Sequence, residues 1–439
     1  MPSDYVLYRR RWTVLASFVV LSCSSAWMWI TWSPIQDLVA DHWGVSASAV
    51  DDLSGIYFYI YVMGSFVSMY LVVNHLGLRG GLVLGGIFNV LGAWIRCRGD
   101  GDYTHVYIGT LLCAVAQTFT LSTPPLISAR WFGDEERATA TAIGILANQL
   151  GTAFGLGSTI VFDFADDGYL NEAVLATYLG LQLAVAVVAL VLVFGLVEDL
   201  PPTPPSKAAY LSRYPHDTAA SEETPLVATD VKHDPTRALD YLPSVRLVLS
   251  SHRVYTMIFA LSIGVFYTIP TFLSQLLPSN WTARGAGWLG LAYQVMAATG
   301  SLTAGRLVDM THEHKLVSIG LLAVAFLSLS VYCAVASYAA STSSVLTWFA
   351  LAGTGYTLGA WNTVGMEFAS VLTFPADEGA VAGILESSAE LMGFVLVTLG
   401  GWCLEVSSAT SLLLVLVSCV SLSAISLGML KTEEKRPRS

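Results

Sequence analysis

Residues 173–205 read AVLATYLGLQLAVAVVALVLVFGLVEDLPPTPP. From Ala173 to Val197 there is no charged side chain and a single amide, Gln182. A bilayer core of about 30 Å takes roughly 20 helical residues to cross. With no water available there, each backbone group must bond within its own segment, so a run of this length is a membrane helix. At Glu198 the character changes within three residues. Glu198 and Asp199 are followed by Pro201, Pro202, Pro204 and Pro205, which marks the end of a span and the start of a solvated segment.

Read outward in both directions, the same transition recurs. The apolar blocks give spans at 12–35, 51–73, 80–96, 104–127, 138–162 and 173–197, then at 254–277, 285–308, 316–338, 344–371, 379–402 and 408–429. The expected fold is therefore all-α, with 12 transmembrane helices as two six-helix bundles over 12–197 and 254–430. Residues 198–253 form a linker expected to be largely disordered, and 1–11 and 431–439 are short tails. Composition agrees: 54% of the 439 residues are apolar and 12% charged, against about 25% charged in a soluble domain. A β-barrel would show alternating segments of about 10 residues, which are missing from this pattern. Residues 1–11 are too short and too polar for a signal peptide.

Basic residues set the orientation. Of the 21, only Arg96, Arg98 and Arg284 fall on the side opposite the termini and linker. Both termini are therefore expected in the cytoplasm, and the surface membrane is the default, with an endolysosomal membrane second. The net charge of −11 gives no support to nucleic-acid binding. The six cysteines show no CxxC spacing and read as small membrane-helix residues. Without a P-loop, HExxH or GxSxG motif, nothing points to an enzyme, a pump or a cofactor. The partners implied are a small solute and the lipid bilayer, with the chain working as a monomer.

Two loops carry matching motifs. Gly77-Leu78-Arg79 lies between the second and third spans, and Gly305-Arg306-Leu307-Val308-Asp309 between the eighth and ninth. Each resembles the loop signature of the major facilitator superfamily, although Asn74 stands where the first loop usually has an acid. A narrower likeness follows from Arg10-Arg11-Trp12, Trp29, Gly44-Val45, Leu91-Gly92-Ala93-Trp94-Ile95, Ala116-Gln117, Trp131-Phe132-Gly133, Asn148-Gln149-Leu150-Gly151, Phe266-Tyr267, Gly365-Met366-Glu367-Phe368-Ala369, Pro375, Glu378-Gly379 and Ser388-Ala389. Together these resemble the feline leukaemia virus subgroup C receptor (FLVCR) family, solute carrier family 49. That resemblance implies transport of choline or ethanolamine, with haem and a pyridoxine-like solute as the alternatives. It assigns substrate contacts to Trp29, Gln117 and Tyr267, with Glu367 and Glu390 at acid or amide positions. The choline-handling members carry an amide where this chain has Glu390. The loop motifs, Gly77 and Arg79 with Arg306 and Asp309, are assigned to a cytoplasmic gate.

Position supports the same residues independently. Gln117 and Tyr267 lie about 13 residues into their spans and Glu390 about 11, roughly 20 Å or a little less at 1.5 Å per residue, near the midplane where carriers of this type bind. Ser22, Ser25, Trp29, Ser33 and Gln36 form one polar stripe on the first helix, and Pro34 is placed to kink its end. Glu386 and Glu390, four apart, share a face, so they must look onto protein or water and are candidates for proton or cation coupling. Aromatic rings beside a carboxylate suit a small organic cation. Bland readings stand alongside: Trp27 and Trp32 as interfacial anchors or packing, Glu367 as a structural ion-pair partner, Asn148 and Gln149 as interhelical glue, and Gly144, Gly151 and Gly155 as close-packing positions. Haem's propionates would be repelled by two buried acids. A non-transporting receptor or a channel on the same fold is the remaining alternative.

Overall fold

The computed structural model describes residues 6–98, 102–133, 136–166, 169–205, 241–277, 281–311, 313–338, 344–373, 376 and 378–430. The expected linker residues 206–240 and the tail 431–439 lie outside the described residues. Twelve long helical segments follow one another: α1 (Arg10–Trp29), α2 (Ala47–Leu71), α3 (Gly77–Cys97), α4 (Tyr103–Thr118), α5 (Arg137–Leu156), α6 (Glu172–Leu196), α7 (Arg253–Thr271), α8 (Ala283–Thr311), α9 (His314–Tyr338), α10 (Ser344–Thr373), α11 (Glu378–Val406) and α12 (Ala409–Met429).

The packing repeats between the halves. α1 lies on α5 as α7 lies on α11, α2 on α4 as α8 on α10, and α3 on α6 as α9 on α12. The halves meet along α2–α11 and α5–α8, which are equivalent pairs under the same two-fold relation. Layering follows composition. Among the described residues seven helices are long and apolar enough to cross a membrane unaided: α1, α3, α6, α7, α9, α11 and α12. The apolar stretches of α6 and α9 are only 28% buried inside the protein, so most of their surface is left for lipid, whereas that of α7 is 78% buried. α2, α4, α5, α8 and α10 spend more positions on hydroxyl, amide and glycine residues.

Proline breaks three of the inner helices, and each break has a chemical consequence. Pro34 would drive its ring into the carbonyl four residues back. α1 accordingly stops at Trp29 and resumes as a 3₁₀ turn, Ser33–Ile35, and a short helix, Gln36–Trp43. The orphaned end carbonyls are met by side chains. Arg96 Nη1 donates to Met28 O at 3.2 Å and its guanidinium lies 4.9 Å from the Trp32 ring. A cation at a helix C-terminus also favours the helix dipole. Arg96, expected at the far surface, is instead 2% exposed inside the N-terminal bundle. α4 stops at Thr118 and restarts at Pro124–Trp131, with Pro124 in its first turn, where no N–H is needed. In α7, Pro270 cannot donate to Phe266 O, and the Tyr293 hydroxyl does so at 3.1 Å.

Close approach explains the small residues. A Cβ on Gly151 would stand 2.2 Å from Cys23 O, and one on Gly155 would stand 2.2 Å from Ile30 Cγ2, so α1 and α5 touch through these glycines. The linker departs from expectation at its end. Tyr241–Ser251 is helical and packs on α11 and α7, burying Ser244 and Val248 at one-turn spacing. Its apolar positions are too few to stand out in a polar, proline-rich segment, but they recur at helical intervals.

Candidate functional site

A cavity lies between the two halves. α1 supplies Ser22 and Trp29, and α5 supplies Asn148, Gln149 and Thr152. The break in α4 supplies Leu121 and Pro124. From the other half come Phe266 and Tyr267 of α7, Gln294 of α8, Asn362 of α10 and Glu386 of α11.

The innermost wall is aromatic. Trp29 meets Tyr267 edge to face, with ring centroids 6.1 Å apart at 86°, and meets Phe58 at 5.7 Å and 81°. Phe58 and Tyr267 are 5.9 Å apart. The indole is fixed in place because Trp29 Nε1 donates to Ser54 O at 3.3 Å, and Ser54 Oγ donates back to Trp29 O at 3.3 Å. Tyr267 then joins the rings to the acids: its hydroxyl donates to Glu386 Oε2 at 3.3 Å. Glu390, one turn further along α11, is 3% exposed, and its Oε2 accepts no hydrogen bond among the described residues. No ion pair joins either acid to a basic side chain among the described residues. Three lining amides, Gln149, Gln294 and Asn362, likewise each have a buried oxygen without a partner.

One end of the interface is closed. Ser33 Oγ reaches Pro270 O at 2.6 Å and Thr271 O at 2.8 Å, the carbonyls at the broken end of α7. Ser274 Oγ donates to Ser33 O at 3.0 Å, and Thr159 Oγ1 to Ala283 O at 2.8 Å. Asp51 of α2, 5% exposed, accepts from Gln275 Nε2 on both carboxylate oxygens at 3.0 Å and from Gln36 Nε2 at 3.0 Å. All of these lie on the side opposite the start of α1 and the end of α12. The cavity lining runs the other way, from Trp29 down to Ser22 and across to Glu386 near the start of α11. The site therefore faces the side that carries the termini.

Of the residues singled out in the sequence, Trp29, Tyr267 and Glu386 come together, with Glu390 behind them. Gln117 is buried, with its Oε1 unpartnered, just before the break in α4; it is not among the cavity-lining residues. Glu367 is drawn away from the cavity toward His314, whose Nε2 is 3.8 Å from its carboxylate. Arg79 bonds within its own half: Arg79 N donates to Asp199 Oδ1 at 2.9 Å and Nη2 to Phe194 O at 2.8 Å. Arg306 is exposed, and the side chains of Asp309 and Asn74 lie outside the described residues. Gln149 and Asn148, read as interhelical glue, line the cavity instead. Sequence reasoning missed Phe58, Gln294 and Asn362. Gln294 and Asn362 are amides in membrane helices, a residue type that serves as ligand contact or as interhelical glue. Phe58 is hidden in the run Tyr57-Phe58-Tyr59, where no periodicity separates ligand from packing.

Two halves of six helices around a central polar cavity, closed at one end, are the architecture of a membrane carrier. The chain belongs to the Major Facilitator Superfamily, whose family model matches residues 15–280. Within it the relatives are of the FLVCR and solute carrier 49 kind. The chain is 29% identical to choline/ethanolamine transporter flvcr2a of Danio rerio over 90% of its length and 81% of the relative's. It is 28% identical to choline/ethanolamine transporter FLVCR1 of Felis catus, covering 89% and 67%. It is also 29% identical to solute carrier family 49 member A3 of Xenopus tropicalis, covering 88% and 77%. The fold is shared with the D-xylose-proton symporter, at TM-score 0.68 and 14% identity over 95% of this chain and 96% of that one. A bacterial homologue of the human lysosomal transporter Spinster gives TM-score 0.63 and 12% identity over 97% and 96%.

Proposed function

We propose that this protein carries a small organic cation of the choline or ethanolamine class across the membrane by alternating access. The observation that carries the proposal is the Tyr267 hydroxyl, 3.3 Å from Glu386 Oε2, on a ring set edge to face against Trp29. Ring quadrupoles and a carboxylate both attract an ammonium, and cation–π contact with a desolvated cation is worth up to about 2 kcal/mol. Each half supplies part of this site, so a bound cation bridges the two and its release is linked to their separation. The names of the relatives point to the same substrate class. In this reading the termini are cytoplasmic, the closed end is external, and the chain sits in the surface membrane.

The test is uptake of labelled choline and ethanolamine into liposomes holding the purified full-length chain. Saturable uptake, reduced at least tenfold in kcat/KM by Trp29→Ala and by Tyr267→Ala, is expected. Correctly inserted wild-type protein that moves neither solute would overturn the substrate class and leave the fold in place.

A further inference from the structure

The cavity is rich in hydrogen-bond acceptors, and several of its donors are already engaged. Trp29 Nε1 is held by Ser54 O, the Tyr267 hydroxyl by Glu386, and Thr152 Oγ1 by Asn148 O. The acceptors are less fully used. Glu386 receives one bond from Tyr267, and Gln149, Gln294 and Asn362 each leave a buried oxygen unpartnered among the described residues. An amide can turn and offer its nitrogen instead, but an ionised carboxylate can only accept. The imbalance therefore rests on Glu386, which lines the cavity, and on the engaged donors.

Ligand chemistry follows from this count. Both a primary and a quaternary ammonium satisfy the aromatic wall, because the ring attraction depends on charge. They differ in what they bring. A quaternary ammonium has no N–H and meets a carboxylate only through methyl groups. A primary ammonium has three N–H donors and loses more hydration on binding, so it needs acceptors inside the site. Charge-assisted N–H bonds to a carboxylate are the strong class, and a site built to hydrogen-bond a donor rejects the analogue that lacks it. We propose that this cavity selects a primary ammonium over its quaternary counterpart, with Glu386 as the specificity-determining acceptor and the amides of Gln149, Gln294 and Asn362 taking a second donor, such as a hydroxyl, at the ligand's other end. The inference rests on the small-cation reading above and narrows it to one branch.

The experiment measures kcat/KM for ethanolamine, its N-methyl and N,N-dimethyl derivatives and choline, in liposomes carrying the full-length chain. The series removes one N–H at a time and keeps the positive charge and the hydroxyl. A stepwise fall of at least tenfold from ethanolamine to choline is expected, and Glu386→Gln should compress that ratio to about threefold or less. The wild-type series needs no variant, so it stands even where Glu386→Gln fails to fold; binding of the four ligands measured by thermal shift gives the same ranking independently. Choline handled as well as ethanolamine, or a ratio that folded Glu386→Gln leaves unchanged, overturns the selection and leaves the small-cation reading standing. Uptake of none of the four overturns both.

Discussion

Asp51 offers the sharpest quantitative handle on alternation. Its carboxylate accepts from Gln36, in its own half, and from Gln275, in the other half. Only the Gln275 contact is made in one state and lost in the other, because Gln36 travels with Asp51 when the halves rock. Asp51→Ala therefore removes from the closed end a bond worth about 1–3 kcal/mol, the range from a neutral hydrogen bond to one with a charged partner. The open state, where Gln275 turns to water, loses little. At 1.4 kcal/mol per tenfold, the closed-to-open ratio should fall about 5- to 150-fold.

The assay places a reporter cysteine at Gln294, which lines the cavity, in a chain whose six native cysteines are replaced. A membrane-impermeant thiol reagent is then added on the side opposite the termini. While the open state is minor, the labelling rate should rise in step with its population. Gln275→Ala should give the same rise, and the double variant should add little, since both remove one bond. Gln36→Ala should give a much smaller rise. The reasoning fails if Asp51→Ala changes labelling less than twofold, or if Gln36→Ala matches Gln275→Ala.

Three further outcomes follow from single contacts. Tyr267→Phe keeps the ring but deletes the bond to Glu386, so its loss in kcat/KM for the carried cation should be clearly smaller than that of Tyr267→Ala; equal losses would assign the effect to the hydroxyl alone. Gly77→Ala puts a Cβ 2.3 Å from Asp199 Oδ1 at a φ of +70°, which should cost about 1–3 kcal/mol through strain and displaced packing and be visible as a lower thermal midpoint, whereas Gly180→Ala, with nothing within 4 Å, should leave it unchanged. Arg96→Met should destabilise the N-terminal bundle by about 1–3 kcal/mol, because it removes the charged one of two donors to Met28 O, Thr31 Oγ1 being the other; a midpoint equal to wild type would show that the guanidinium is not needed to cap α1.

Twelve spans were legible because membrane helices announce themselves by length and apolarity; unbroken helices match the expected bounds, Glu172–Leu196 against 173–197 and His314–Tyr338 against 316–338, whereas α1, α4, α5 and α7 stop six to nine residues short. The breaks were less legible. Pro34 foretold a kink, but the interruption at 119–123 lies within a run that reads as continuous, and only the pair Pro124-Pro125 hints at it. In the site, residues with unusual chemistry for their depth, such as Glu386 and Trp29, could be found from sequence. Gln294 and Asn362 could not be told from interhelical glue, because an amide in a membrane helix serves either role and only the partner decides. The same ambiguity misplaced Arg96. A basic residue at a span end normally marks a surface, and only a broken helix beside it supplies the carbonyl that lets it stay inside.

The breaks at the closed end also shape the closure there. A helix end leaves its last carbonyls without an N–H four residues on. Pro34 forces the turn that carries Ser33, and Pro270 and Thr271 are the last two residues of α7, so their carbonyls are free to accept. The contact of Ser33 with these carbonyls thus joins a break in one half to a helix end in the other. It joins neutral groups at the end of the bundle, where water replaces the lost bonds as soon as a gap opens, so the contact specifies the closed arrangement without making it costly to leave. The acids at the other end of the cavity behave oppositely. Glu386 and Glu390 have no cation of their own, and charge buried without a partner is expensive. Under the proposed function, the arriving cation neutralises that charge before its surroundings become dry, and reorientation then follows from its arrival together with release of the Asp51–Gln275 contact.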